Sequence, residues 1–145
     1  KGYCAWAGGR LPTGVQWQYA AQGGEPARAF PWGAADNTSL RPPVASGRAC
    51  PAPHDSEAYA SAGGASHFGL VDVVGNVWQY TADEFEDGHT RFVLVRGGSH
   101  YDLRHVSHWY FPTADWRLDR HNRYNLMDDA YERAATIGFR CAYDA

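Results

Sequence analysis

The sequence predicts a single α+β domain, loop-rich, with short strands and few helices, and three observations carry that expectation. Six Trp and nine Tyr stand beside sixteen Gly in 145 residues, so large flat side chains supply burial while glycines permit sharp backbone turns. Apolar runs are short and end at glycine or proline, which leaves little room for long regular elements. The length suits one hydrophobic core and is short for two, so residues 1–145 are read as one domain.

Taken in order, Tyr3-Cys4-Ala5-Trp6-Ala7 reads as the last turns of an amphipathic helix closed by Gly8-Gly9. Thr13 followed by Gln16 three residues on is a capping box, and the helix it opens places Val15 and Tyr19 on one face before ending at Gly23-Gly24. From residue 30 to residue 66 proline, glycine and small polar residues dominate. This predicts a long surface loop pinned by Trp32 and Phe68.

The chain is organised around Gly69-Leu70-Val71-Asp72-Val73-Val74-Gly75-Asn76-Val77-Trp78-Gln79-Tyr80, a valine-rich run broken at Gly75-Asn76 and resumed with an indole. It predicts two extended pieces meeting at a tight turn, with Trp78 in the core. Asp72 and Gln79 also flank that turn with side-chain oxygens, which a hard cation such as Ca²⁺ would use together with inward carbonyls. Residues 92–95 read as a buried strand running into Arg96-Gly97-Gly98-Ser99, where paired glycines allow a bend or a close backbone approach. Thr136-Ile137-Gly138-Phe139-Arg140-Cys141-Ala142-Tyr143 predicts a short closing strand.

Composition narrows the partners. The formal charge of −3, from 13 basic and 16 acidic residues without a basic run, argues against nucleic acid and membrane surfaces. No stretch has the length and apolarity of a transmembrane span. Cys4, Cys50 and Cys141 are too few and too far apart for a disulfide-rich scaffold or a CxxC zinc site; Cys4 and Cys141 either bridge the two ends or serve as small buried apolar groups.

Six motifs, in order, resemble the formylglycine-generating enzyme (sulfatase-modifying factor) family, whose domain has a C-type-lectin-like fold. They are Tyr-Cys-Ala-Trp-Ala-Gly-Gly-Arg-Leu-Pro-Thr at 3–13, Trp-Gln-Tyr-Ala-Ala at 17–21, Pro-Trp-Gly at 31–33, Gly-Leu-Val-Asp-Val-Val-Gly-Asn-Val-Trp at 69–78, Arg-Gly-Gly-Ser at 96–99 and Ile-Gly-Phe-Arg-Cys at 137–141. The resemblance implies a structural Ca²⁺ held by Asp72, the carbonyls of Gly75 and Val77, and Gln79, where the family usually has Glu in the last place. It also implies that Cys4 and Cys141 lie close together. The family domain normally carries a further N-terminal portion, which the resemblance assigns to missing sequence or a companion chain.

One departure bears on activity. Enzymes of the family bind copper(I) through two cysteines shortly after the Arg-Gly-Gly-Ser motif; here those positions hold Asp102 and Ser107, hard oxygen groups where a soft ion needs thiolates. Copper is therefore not expected, and formylglycine formation is unexpected with it. The segment 100–133, rich in His, Tyr, Asn, Asp and Arg, reads instead as a surface for a protein or small-molecule ligand. Its expected contact residues are Ser99, His100, Tyr101, Asp102, His105, Ser107, His108, Tyr110, His121, Arg123, Tyr124 and Asn125. Variable proteins of diversity-generating retroelements, within the same superfamily, use such a segment. The alternative is a nonheme metal-dependent oxidoreductase drawing on His100, Asp102, His105 and His108, whose nitrogen and oxygen donors suit Fe(II).

Overall fold

The computed structural model describes residues 1–24, 28–41, 57, 63–100, 116–126 and 134–144. Thr13 accepts the Gln16 amide on its hydroxyl at 3.2 Å, and the Gln16 side-chain oxygen accepts the Thr13 amide at 3.0 Å. This reciprocal cap satisfies two N–H groups that the first helical turn leaves over, and it starts α2 (Gly14–Gln22) where the sequence predicts. Gly23, at φ 65°, ends the helix. Val15 and Tyr19 share a face as expected, but that face is exposed; Trp17 and Ala21 carry the buried one. The shorter α1 (Gly2–Trp6) closes when the Gly9 amide donates back to the Cys4 carbonyl at 2.7 Å.

Four strands, β1 (Trp78–Glu86), β2 (Arg91–Arg96), β3 (Asn122–Asn125) and β4 (Ile137–Phe139), form one sheet in the order β3-β2-β1-β4. β1 and β2 are antiparallel and joined at Asp87, whose carboxylate accepts the amides of His89 and Thr90 at 3.0 and 2.7 Å and so holds the turn. β3 pairs antiparallel with β2, and β4 runs parallel to β1. Two extended pieces meeting at Gly75-Asn76 are not what forms. Only the second piece is a strand; Asp72 turns the first into a bent loop at φ 55°, and Val73 and Val74 enter the core from it.

The sheet separates two apolar clusters. Cys4, Leu11, Trp78, Tyr80, Val93, Val95 and Leu126 form one, with Tyr124, Ile137 and Cys141 packed on it. Trp17, Ala21, Val73, Val74 and Leu118 form the other, with Trp32, Leu70 and Trp116 at its edge. Trp32 stacks on Phe30 at 5.5 Å, whereas Phe68 is half exposed and leans on Tyr19; most of the loop predicted between them, residues 42–56 and 58–62, lies outside the described residues. The alternative left open by the cysteine spacing is resolved: Cys4 and Cys141 are disulfide-bonded. Beside the bridge, Arg10 and Ala142 exchange backbone hydrogen bonds of 2.9 and 2.7 Å, tying the chain beyond β4 to the link between α1 and α2. This is the loop-rich α+β architecture predicted from composition and motifs. No helix among the described residues is long and apolar enough to cross a membrane.

Candidate functional site

β2 delivers the chain into the turn Gly97-Gly98-Ser99, whose two glycines adopt φ 89° and 69°. That turn lies against the loop before β1: the Gly97 carbonyl accepts the Gly75 amide at 2.7 Å. His100 follows, and both its backbone N–H, at 3.0 Å, and its ring Nδ1, at 2.6 Å, reach the Asn76 carbonyl. A carbonyl only accepts, so Nδ1 carries the ring proton and Nε2 keeps its lone pair. The backbone thus sets the tautomer of the first residue in the expected ligand segment.

Arg96 fixes the return of the chain to β3. The residue is 5% exposed, and its guanidinium donates through Nη1 to Gln18 Oε1 at 3.2 Å and to the carbonyls of Leu118 and Arg120 at 3.3 and 3.0 Å. Burial pushes its pKa below the usual range, against the pull of Asp83 and Asp119. The same charge acts on His121. Burial first, then the positive charges of Arg96 and Arg123, lower the His121 pKa below 6.5, with Asp83 opposing. Because the folded value lies below the unfolded one, the stabilising contribution is complete above pH 6.5 and is lost as pH falls from there through the lower folded value. NMR titration of His121 is expected to give a midpoint below 6.5 that moves upward in Arg123→Gln.

Strand geometry divides the expected contact residues. Arg123 and Asn125 are exposed on β3, and the Arg123 guanidinium lies over the Phe92 ring at 5.0 Å. Phe92 stacks on Phe85 of β1 at 5.2 Å, so the outer face carries two aromatic rings and a cation. Tyr124, one residue on, points the other way and meets Tyr80 edge-to-face at 6.1 Å in the core. It is partly buried there and packs against the first cluster. Tyr124→Ala is expected to cost about 2 kcal/mol in urea denaturation, the loss of a partly buried aromatic. Ser99, at 4% exposure, lies inside the turn. Tyr101, Asp102, His105, Ser107, His108 and Tyr110 lie outside the described residues. Phe85 and Phe92 were missed; alternation with the β-branched Val93 and Val95 was the signal that Phe92 faces outward.

The residues implied for calcium do not assemble a fitting donor set. Gln79, 2% exposed, accepts on Oε1 from Trp17 Nε1 at 2.8 Å and from Arg140 Nε at 2.6 Å. Both partners can only donate, which settles which end of the amide is oxygen. The other end, Nε2, donates to the carbonyls of Asp72 at 2.9 Å and Val73 at 3.3 Å. Gln79 therefore has no oxygen to offer an ion, and its assignment as a ligand is corrected. Asp72 remains the single carboxylate of the set, with the Asn76 amide 3.5 Å from it and the Arg140 charge acting on it. Calcium takes six to eight oxygens. Asp72 and the Gly75 and Val77 carbonyls fall well short of that. Among the described residues no three His, Cys, Asp or Glu side chains gather for any metal ion.

All of residues 1–145 match the sulfatase-modifying factor enzyme 1-like domain family. Inactive C-alpha-formylglycine-generating enzyme 2 of Bos taurus is 30% identical over 154 residues, covering 100% of this chain and 47% of that protein. Formylglycine-generating enzyme of Mus musculus is 31% identical, covering 98% and 41%. Hercynine oxygenase of Mycobacterium tuberculosis is 33% identical, covering 99% and 34%. The chain spans less than half the length of each of these three proteins.

Proposed function

Since the chain belongs to the sulfatase-modifying factor enzyme 1-like domain family, we propose that it is a member without the copper centre, serving to hold a protein or small-molecule ligand on its polar aromatic surface. The cysteine inventory carries this reading. Of three cysteines, Cys4 and Cys141 are joined to each other, which leaves Cys50 as the single remaining thiol. A copper(I) centre built on two protein thiolates needs one more than the chain has. The Bos taurus relative, whose name calls it inactive, is consistent with a domain of this family kept without the enzyme activity.

The outer face of β1, β2 and β3 supports the binding half of the proposal. Phe85 and Phe92 offer flat apolar area, Arg123 offers a fixed charge over it, and Asn125 offers an amide. Aromatic rings and arginine are the side chains that most often dominate binding energy at protein surfaces. A second reading, a nonheme iron site that includes His100, rests on the lone pair that the Nδ1 bond to the Asn76 carbonyl leaves to His100 Nε2.

Three measurements on the whole domain test these readings together. Anaerobic copper(I) titration is expected to leave the protein without stoichiometric copper, while Asp102→Cys combined with Ser107→Cys gains uptake. Stoichiometric copper in the wild type, with oxygen consumed against a cysteine-containing peptide, would overturn the proposal. Peptides selected from a displayed library are expected to lose about tenfold in affinity on Arg123→Ala without a change in melting. Stoichiometric iron(II) uptake abolished by His100→Ala would replace the binding reading with the iron one.

A further inference from the structure

We infer that the loop before β1 is braced by the guanidinium of Arg140 and the carboxamide of Gln79 where the family resemblance implies a calcium ion, so that the turn carrying His100 is formed without metal. The donors and acceptors are matched one by one. Arg140 follows β4, and its Nε donates to Gln79 Oε1 at 2.6 Å while its Nη2 donates to the carbonyls of Val71 and Asp72, both at 3.2 Å. Gln79 Nε2 completes the set on the carbonyls of Asp72 and Val73. Three consecutive carbonyls thus converge on protein N–H donors, one of them permanently charged and planar.

Carbonyls that converge attract a hard cation when no N–H donor meets them; these three are not the Gly75 and Val77 carbonyls that the resemblance assigns to calcium, and the brace and the implied ion share only Asp72 and Gln79. Here a side chain just beyond the last strand, Arg140, supplies the positive charge. Position 79 decides between the two solutions. A glutamate there would keep one oxygen for Trp17 and Arg140 but would turn the second toward the Asp72 and Val73 carbonyls, an all-acceptor cluster that needs a cation. Glutamine turns an N–H group toward them and needs none. The brace reaches the candidate site through short links: the Val73 carbonyl lies where a side chain on Gly97 would stand, Gly75 donates to the Gly97 carbonyl, and the Asn76 carbonyl accepts from His100. Arg140 and Gln79 are positioning residues for that turn.

The test needs no ligand and is independent of the binding proposal. Wild-type melting is expected to agree within about 1 °C between a chelator and about 5 mM calcium chloride, above the weakest calcium affinities of extracellular modules. Gln79→Glu is expected to melt lower than wild type in chelator and to rise by several degrees with calcium. Arg140→Lys keeps the charge but loses the fork; it is expected to melt about 5 °C lower, to speed solvent exchange of the Trp17 indole proton, and to ignore calcium. Three results would overturn the inference: wild-type melting raised by calcium, a Gln79→Glu variant as indifferent to calcium as wild type, or Trp17 indole exchange unchanged in Arg140→Lys.

Discussion

Cys4→Ser is expected to lower the melting temperature by about 10–20 °C, the largest effect of any single substitution considered. The bridge it removes spans a sequence separation of 137 residues, nearly the whole chain. Chain-entropy reasoning gives about 5 kcal/mol for closing a loop of that length in the unfolded state, and the midpoint of a domain this size moves a few degrees per kcal/mol. Packing adds to the constraint, because Cys4 is fully buried against Leu11, Trp78 and Tyr80. A serine hydroxyl placed there needs a hydrogen-bond partner the apolar cluster does not supply. Calorimetry of the variant, and of the wild type under reductant, measures both parts. A fall of less than about 3 °C would refute the claim that the bridge holds the two chain ends together.

Gly97→Ala is expected to cost about 3 kcal/mol or more, and the reason is local rather than topological. A Cβ at that position would stand 2.3 Å from the Val73 carbonyl oxygen and 3.3 Å from both Gln79 Nε2 and the Trp17 ring, at a backbone φ of 89°. The nearest atom belongs to the backbone of the braced loop, so it cannot swing aside as a side chain would. Gly88→Ala is the control: its φ of 83° imposes comparable strain, but nothing lies within 4 Å of the added atom. It is expected to cost about 1 kcal/mol. Equal losses for the two variants in urea denaturation would show that close packing at Gly97 contributes nothing.

Much of the fold was legible because its signals are local. Thr13 and Gln16 form a capping box from three residues of sequence, and Gly23 ends the helix where a left-handed residue is required. The motif Arg-Gly-Gly-Ser correctly marked a close backbone approach, since only glycine tolerates φ 89° against a neighbouring carbonyl. The site was less legible. Tyr124 and Arg123 are adjacent in a polar aromatic segment, and only the register of β3 on β2 sends one inward and the other outward. Ser99 looked like a surface hydroxyl until the glycine turn folded it inside.

Gln79 marks the boundary between the two kinds of information. By itself the sequence determined the family, the loop-rich α+β class and the start of α2, because each depends on residue identity at fixed spacing. Tertiary structure alone decided what Gln79 does. Trp17 lies 62 positions before it and Arg140 lies 61 after it, and their N–H groups meet its oxygen only once α2 and the chain beyond β4 have packed around β1. Whether an amide oxygen faces an ion or is consumed by two buried donors is a matter of which groups folding brings within hydrogen-bond distance, and chain spacing carries no record of that.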